Sequence, residues 1–399
     1  MKKIMSVLLS LTMFFGLISF AVAEDSALDI QFNADGKFKI MHITDTHLNV
    51  DNVDASVFAI GRGCDLEQPD MVVITGDNVE NHQDTSETKM LIDKLMTVFQ
   101  SRNIPVAVTF GNHDSEGDCA MTREELMAYY NTYSCSVSVD DGPTLSGCGT
   151  YNVPILSSDG GKIAFNLWIF DSNDYDAVGN YSCVQADQVA WYKEASAQLR
   201  ADNNGEIVYS LAFQHIIVPE IYDVLKKVDY KGAYIYEHHY NAGEYYTFDP
   251  AQENRGTLTE SPCCGYENFG QFDAMVAQGD VLAVFSGHEH TNTFSVKNQG
   301  IDIVNSHSTR YNGDAYSTQY GYRTIELNEA DTSKYTTDIV HWYDIFTIAD
   351  SIELSQAGDS FGSQVARSIA FQGVFQKLWN QFTYIIVKMF TGRTVSYSY

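Results

Sequence analysis

Short apolar runs that each end in a cluster of polar side chains are the feature that most restricts how this chain can fold. The runs with β-type composition are residues 38–44, 71–75, 104–110, 163–170, 207–213 and 281–285, with two further candidates at 300–304 and 322–327. Helix-like segments lie between them, at 86–100, 122–130, 185–200 and 270–278. Nearly continuous apolar strands that alternate with helices predict an α/β fold whose sheet is covered on both faces.

Five of these runs are followed at once by aspartate, asparagine or histidine. In chain order the residues are Asp45 and His47, then Asp77, then Asn112, His113 and Asp114, then His215, and finally His288 and His290. Ligands of open α/β sheets bind at the carboxyl ends of the strands. The sequence therefore predicts one polar site built from five strand ends.

The residue types at this site indicate metal chemistry. Imidazole and carboxylate groups without thiolate suit zinc, iron, manganese and similar ions. Two aspartates, one asparagine and four or five histidines are too many ligands for one tetrahedral ion, but they suit two ions that share a ligand. A carboxylate can bridge two ions and an imidazole cannot. The composition of the site is typical of a two-metal hydrolase.

The order of these blocks resembles that of the calcineurin-like metallophosphoesterase superfamily, and especially its purple-acid-phosphatase-like branch. The matching blocks are Asp45-Thr-His47, Gly76-Asp77, Gly111-Asn-His-Asp114, the isolated His215 and Gly287-His-Glu-His290. The resemblance implies a β-sandwich of mixed sheets flanked by helices, with the metal site at the strand carboxyl ends.

The resemblance also implies how the site residues divide. One ion takes Asp45, His47 and His290, the other takes Asn112, His215 and His288, and Asp77 bridges the two ions. The ions are divalent or of mixed valence, and manganese, zinc and iron all remain open. His113 is expected to protonate the leaving group, and Asp114 either orients His113 or stabilises the turn.

One position departs from the purple acid phosphatases. Their tyrosine three residues after the bridging aspartate is replaced here by Glu80. The phenolate of that tyrosine gives these enzymes their ferric colour, so we expect no purple absorption band from this protein.

The favoured function is an exported phosphomonoesterase in which metal-bound hydroxide attacks phosphorus. Its substrate would be a phosphorylated small molecule or lipid. Two alternatives are a phosphodiesterase acting on nucleotide or phospholipid-type substrates, and a catalytically silent binding protein on the same scaffold. The formal net charge of −28 argues against a phosphate-neutralising surface for nucleic acid.

The chain divides into three predicted parts. Residues 1–23 have two lysines, an apolar run and a small-residue ending at Ala23, as in a cleaved secretory signal peptide. Residues 24–345 form the catalytic domain, and 346–399 form an extension. We therefore expect a secreted, periplasmic or cell-surface protein. Within the catalytic domain, residues 228–268 have little periodicity and are expected to form an irregular binding loop.

The extension has a basic amphipathic character. Residues 360–399 contain no acidic side chain, and their apolar residues recur at helical spacing. Such a helix either makes peripheral contact with a membrane surface or packs back on its own domain. Polar residues within it argue against a transmembrane span.

The chain has seven cysteines. Cys135 and Cys148 flank a loop rich in glycine, serine and aspartate and are the favoured disulfide pair, since export permits disulfides.

Overall fold

The structure is a computed structural model. It describes residues 30–80, 84–117, 119–140, 144–249, 251–252, 254–311, 319–356 and 360–391. The predicted signal peptide lies outside these residues.

The strands of the described chain are β1 (Lys37–Ile43), β2 (Met71–Thr75), β3 (Val106–Thr109), β4 (Tyr151–Leu156), β5 (Ile163–Ile169), β6 (Ser210–Phe213), β7 (Leu225–Val228), β8 (Tyr236–Glu237), β9 (Tyr245–Phe248), β10 (Asn254–Arg255), β11 (Val281–Ser286), β12 (Ser295–Asn298), β13 (Ile301–Asn305), β14 (Gly321–Asn328) and β15 (Tyr335–His341). The helices are α1 (Val53–Glu67), α2 (Thr85–Gln100), α3 (Arg123–Tyr130), α4 (Ala186–Asp202), α5 (Ile221–Val224), α6 (Gln271–Gln278), α7 (Trp342–Ile345), α8 (Ile348–Gln356) and α9 (Ser360–Thr391).

Local sequence explains where several helices begin. The Asp84 side chain accepts hydrogen bonds from the amides of Ser86 and Glu87 at the start of α2. Thr122 and Glu125 form a reciprocal capping box at the start of α3. These caps satisfy amides that the first helical turn leaves without a partner.

Two mixed sheets form the centre of the molecule. One has the order β15-β14-β1-β2-β3, and the other has the order β10-β12-β13-β11-β6-β5-β4. Strands β1, β2 and β3 run parallel in the first sheet. Strands β5, β6, β11 and β13 run parallel in the second. The strands that carry the predicted site residues are therefore neighbours within each sheet.

The core has three layers of apolar side chains. Residues such as Ile40, Val73, Phe165 and Phe285 fill the space between the two sheets. The outer face of the five-stranded sheet packs on α1, α2 and α3. The outer face of the seven-stranded sheet packs on α4 and α6. Each sheet is thus covered on both faces, and the predicted sandwich of mixed sheets flanked by helices is confirmed.

The segment 228–268 is more regular than predicted. Strands β7, β9 and β8 form a small antiparallel sheet that includes part of this segment. Every residue of β9 is only partly buried. Because neither face of β9 is fully covered, its sequence lacks the alternation by which a strand is recognised.

The predicted disulfide is wrong. Cys135 and Cys148 are both buried thiols that are not joined to each other. Both side chains belong to the core between the first sheet and its helices. Burial raises the pKa of the Cys135 thiol to about 11, which disfavours the thiolate that disulfide formation requires.

The first half of α9 packs on its own domain through one face. Ala366 and Ile369 enter the core beside α1, and Gly373 lies against the ring of Tyr343. Lys377 forms a 3.1 Å ion pair with Asp344. No helix among the described residues is both long and apolar enough to cross a membrane.

Candidate metal centre

The predicted site residues meet at the carboxyl ends of five strands. Asp45 and His47 follow β1, Asp77 follows β2, and Asn112 follows β3 in the first sheet. The remaining histidines follow β6 and β11 in the second sheet: they are His215, His288 and His290. Backbone hydrogen bonds join the strand ends, for example from the Asp45 amide to the Gly76 carbonyl and from the His47 amide to the Asp77 carbonyl, both 3.0 Å.

Several of these residues have an unusual backbone conformation. Positive φ angles occur at Asp45 (52°), His47 (43°), Asp77 (52°) and His288 (71°). Residues other than glycine seldom adopt this left-handed region, and such strain is concentrated at functional sites. The sharp turns let the side chain and the backbone of one strand end face the same centre.

The first group that could hold a metal ion contains Asp45, His47 and His290. Their ligand atoms all lie within 4.8 Å of one another. His290 Nε2 is 3.1 Å from His47 Nε2 and 3.5 Å from Asp45 Oδ1. Asp45 Oδ2 accepts hydrogen bonds from the Thr44 hydroxyl and the His288 amide. Asp45 Oδ1 is buried and has no hydrogen-bond partner.

The second group contains Asp77, His215 and His288, and its ligand atoms also lie within 4.8 Å of one another. His215 Nδ1 donates to the Thr75 carbonyl at 2.7 Å, and Nε2 faces Asp77 Oδ2 at 3.2 Å. Fixing one ring nitrogen on a backbone carbonyl sets the other as a ligand.

Asn112 is held in the same way. Its Nδ2 donates to the hydroxyl of Tyr175 at 3.1 Å. Its Oδ1 is buried without a hydrogen-bond partner. The hydrogen bond therefore uses the amide nitrogen and leaves the oxygen, the atom that can bind a cation, directed elsewhere.

Asp77 lies between the two groups. Its Oδ1 accepts the His113 amide at 2.8 Å. Its Oδ2 lies 3.2 Å from His215 Nε2 and 3.8 Å from His47 Nε2. One carboxylate oxygen thus faces a histidine from each group, as a bridging ligand must.

The donor set and its orphaned atoms fit two cations. Buried polar atoms without hydrogen-bond partners are costly, and here they include Asp45 Oδ1 and Asn112 Oδ1. Both are oxygens of the type that binds zinc, iron or manganese. Two ions would satisfy these atoms together.

The charges at the site are strongly coupled. Burial opposes ionisation of Asp77, but the facing His215 holds the pKa of that carboxyl well below its usual range. Burial lowers and Asp77 raises the pKa of His215, with a net rise to about 10. Burial lowers the pKa of His47 to about 4 and that of His288 to about 3. Burial thus favours the neutral form of the last two imidazoles, which is the form that binds a metal ion.

His113 lies at the mouth of the site. Its side chain is 40% exposed, and Nε2 is 4.0 Å from Asp77 Oδ2. Its ring contacts that of His47, with centroids 5.2 Å apart. This position suits a group that acts on a substrate above the metal ligands.

Asp114 does not take the orienting role that the resemblance implied. Its carboxylate accepts hydrogen bonds from the amides of Asp77, Asn78 and Gly111, at 2.8 to 3.0 Å. The alternative of a turn-stabilising side chain is the one that the structure shows. His113 Nδ1 instead forms an ion pair with Glu116.

Glu80 occupies the position of the missing tyrosine. Its carboxylate accepts from Asn49 Nδ2 at 3.3 Å and pairs with Arg310 at 3.2 Å. The expected lack of a purple band stays a prediction.

Three residues outside the predicted set of site residues contact the site. Glu116 pairs with His113, and Tyr175 bonds Asn112. Glu289, inside the His288–His290 turn, is buried and accepts the Cys263 amide at 2.5 Å. It joins the 228–268 segment to the metal centre. The polar stretch after β5, 171–175, was the one signal that pointed toward Tyr175.

Together the sandwich and the two ligand groups define a dinuclear-metal type of site. A sequence model described as calcineurin-like phosphoesterase matches residues 38–292. Because this match covers more than half of the chain, the protein belongs to the calcineurin-like phosphoesterase family.

Two curated relatives are similar to most of this chain, and one solved structure aligns with it. An Arabidopsis thaliana protein named probable inactive purple acid phosphatase 14 is 28% identical over 340 residues, 76% of this chain and 78% of that protein. Another, probable inactive purple acid phosphatase 29, is 25% identical over 308 residues, 69% of this chain and 72% of that protein. The crystal structure of a dimetal phosphatase from Danio rerio aligns with a TM-score of 0.49 and 14% identity, over 73% of this chain and 93% of that one.

Proposed function

We propose that this protein is a two-metal phosphomonoesterase. The observation that carries the proposal is the position of Asp77 Oδ2, which faces His215 of one ligand group and His47 of the other. When bound, two metal ions would neutralise charge on the phosphate and lower the pKa of a water that serves as the nucleophile. Manganese, zinc and iron all suit the donor set.

The chain's own residues would divide the work in three ways. Asp45, His47 and His290 hold one ion, Asn112, His215 and His288 hold the other, and Asp77 is shared. His113 donates a proton from Nε2 to the oxygen of the leaving alcohol as its bond to phosphorus breaks. Asp114 keeps the strand ends in register by binding three amides.

The names of the relatives contain the word inactive, so a catalytically silent scaffold is the main competitor. This chain keeps all seven proposed ligands and His113. It also keeps them buried or oriented, with unpartnered atoms aimed at the centre. These properties favour activity, since a silent protein has no need of such costly atoms.

Metal analysis combined with two substrates tests this function. The wild type, Asp77→Asn and His113→Ala are assayed with p-nitrophenyl phosphate and bis-p-nitrophenyl phosphate. We expect about two ions per chain in the wild type, faster turnover of the monoester, and loss of activity in both variants. Faster diester turnover would replace our proposal with a phosphodiesterase. Bound metal without turnover of either substrate would favour the silent scaffold.

We also propose export with cleavage after Ala23. Support comes from the sequence of residues 1–23, which has the charged start, apolar middle and small-residue end of a signal peptide. Intact mass measurement of protein recovered outside the cytoplasm tests this proposal. A chain that starts at Glu24 is expected, and retention of Met1 in the exported protein would contradict it.

We propose further that the outer face of α9 contacts an anionic membrane surface. Phe371, Val374, Phe375, Leu378 and Trp379 recur at helical spacing and are each more than half exposed. The helix carries basic and no acidic residues on a protein whose net charge is −28. Exposed aromatic and aliphatic side chains beside basic ones are typical of helices that lie in a membrane interface.

A further inference from the structure

Two side chains connect His113, the proposed proton donor, to the side-chain amide of Asn112, a proposed metal ligand. We infer that Glu116 and Tyr175 are positioning residues, Glu116 for His113 and Tyr175 for Asn112. This inference rests on the proposed function. It replaces the Asp114–His113 pairing that the family resemblance implied.

Contacts along the chain are continuous. His113 Nδ1 pairs with Glu116 Oε1. The second carboxylate oxygen of Glu116, Oε2, accepts the Tyr175 hydroxyl at 2.8 Å. The same hydroxyl accepts from Asn112 Nδ2 at 3.1 Å. Both ends of this chain are thereby fixed in orientation by one carboxylate and one phenol.

At the His113 end, the pairing determines which ring nitrogen faces the substrate. To donate, the ring must start with a proton on each nitrogen; Glu116 accepts the Nδ1 proton, so the Nε2 proton is the one that can pass to the substrate. Nε2 points toward the metal centre, 4.0 Å from Asp77 Oδ2. As the phosphorus–oxygen bond breaks, its electron pair stays on the leaving oxygen, which takes the Nε2 proton. The ring is left neutral, with its remaining proton on Nδ1 beside Glu116.

At the Asn112 end, the phenol determines which amide atom faces the ions. With Nδ2 bound to Tyr175, Oδ1 is directed away from the phenol and has no hydrogen-bond partner. The Tyr175 ring is itself held by stacking on Tyr181, with centroids 5.4 Å apart. Tyr181 in turn packs edge-on against His288. The phenol is thus anchored on both sides.

The role of Glu116 is tested by comparing kcat on two esters whose leaving groups differ in their need for a proton. Zinc-loaded wild type, Glu116→Ala and His113→Ala are compared on p-nitrophenyl phosphate and on an alkyl phosphate, whose leaving group needs a proton more. For Glu116→Ala we expect kcat to fall about 10-fold or more on the alkyl ester, with a smaller loss on the nitrophenyl ester. Glu116→Gln, which keeps an acceptor oxygen, should recover part of the loss.

A double variant shows whether Glu116 acts through His113. If it does, His113→Ala/Glu116→Ala has the same kcat as His113→Ala within about twofold. Additive losses would overturn the inference. Asp174→Asn is the matched control, because that carboxylate accepts from Ser115, next to Glu116, at 2.9 Å. We expect this control to keep the wild-type ratio of the kcat values on the two substrates.

Tyr175 is tested by metal affinity. Tyr175→Phe keeps the ring and removes the hydroxyl, and we expect about 10-fold weaker binding of one of the two ions in competition with a chelator. Unchanged affinity in Tyr175→Phe would overturn the assignment of that residue.

A measurement without turnover separates this inference from the proposed function. In protein labelled with ¹⁵N-histidine, the ring signals of His113 are assigned by their loss in His113→Ala. We expect them to shift in Glu116→Ala and to stay in place in Asp174→Asn. If the wild type turns over no phosphoester, the proposed function fails, and these shifts still decide the inference. Unshifted signals in Glu116→Ala would overturn it.

Discussion

Asp77 Oδ2 lies 3.2 Å from His215 Nε2, and this contact joins the two sheets of the sandwich at the centre of the site. Asp77 follows β2 in the five-stranded sheet, whereas His215 follows β6 in the seven-stranded one. Neither sheet alone holds a complete ligand set. The site therefore depends on the packing of the sandwich as well as on the ligands themselves.

Single ligand removals should separate the two metal positions. His290→Ala removes a histidine from the group around Asp45, and His215→Ala removes one from the group around Asp77. In each case we expect the metal content to fall from about two ions to about one per chain. Elemental analysis after dialysis measures this. The double variant should retain almost none, and a single variant that still holds both ions would contradict the division into groups.

Asp114 should matter more for stability than for turnover. Asp114→Ala leaves three amides without their acceptor, and buried hydrogen bonds to charged groups contribute about 1.5–3 kcal/mol each. We expect the free energy of unfolding to fall by about 3 kcal/mol or more in urea titration. Asp84→Ala is the matched control, because its carboxylate accepts two amides at the exposed start of α2. Its cost should be clearly smaller than that of Asp114→Ala, because water can replace the exposed cap.

The opposite result would restore the orienting role. If Asp114→Ala were as stable as the wild type but lost activity on alkyl phosphates, Asp114 would act on His113 rather than on the turn.

The sequence predicted the two candidate ligand groups and the strands that carry them because both are local features. An apolar run followed at once by Asp45 or Asp77 can be recognised without knowledge of the rest of the fold. Glu116 and Tyr175 could not be assigned in this way. They are 59 residues apart, and they meet only after the loops beyond β3 and β5 are placed side by side by the sandwich.

The same reasoning explains the error on Asp114. Its position next to His113 in the sequence suggested a contact between the two side chains. The turn after β3 directs the carboxylate to the amides of Asp77 and Asn78 instead. Adjacent residues of a tight turn often face different ways, so the partner of His113 depends on tertiary structure.

Gly287 should be intolerant of any side chain. A Cβ at this position would overlap Thr44 Oγ1 and Asp45 Oδ2. The Asp45 carboxylate would have to move, so we expect Gly287→Ala to lose at least one metal ion. Gly232→Ala, in the 228–268 segment, is the control and should lose none. Metal analysis and circular dichroism check the pair. Full metal content in Gly287→Ala would show that the turn after β11 can shift to make room for the Cβ without displacing Asp45.

His42 should make the fold sensitive to acid. It is fully buried in β1, with its ring nitrogens 2.9 Å from the Ser306 hydroxyl and 2.8 Å from the Thr75 hydroxyl. Burial lowers its pKa from 6.5 to about 3. Below pH 6.5 the unfolded chain therefore binds a proton at His42 that the folded chain does not bind. The free energy of unfolding falls as the pH falls from 6.5 toward about 3.

Comparison with His42→Gln isolates this contribution. Below pH 6.5 we expect the wild type to lose about 1.4 kcal/mol more per pH unit than the variant. Urea titrations at several pH values, with the same metal content in both proteins, measure the difference. Parallel pH profiles would mean that His42 gains a proton without unfolding the surrounding sheet.

The outer face of α9 should bind anionic vesicles. Five exposed apolar residues occupy that face, and Arg367 is exposed on the same helix. Because the rest of the protein is acidic, binding has to come from the helix and should weaken with salt. We expect co-sedimentation with vesicles that contain phosphatidylserine, and loss of most binding in Phe375→Ser/Trp379→Ser. Both side chains are more than half exposed, and circular dichroism checks that the variant keeps the wild-type fold.

A charge variant and an oligomer measurement complete this test. Arg367→Gln should reduce binding at low salt and have little effect at high salt, because it alters attraction and not apolar burial. If the wild type instead formed a dimer that the Phe375→Ser/Trp379→Ser variant abolished, the exposed face would be an interface between two copies. Sedimentation velocity without lipid detects such a dimer. A monomer that binds neither neutral nor anionic vesicles would refute the membrane contact.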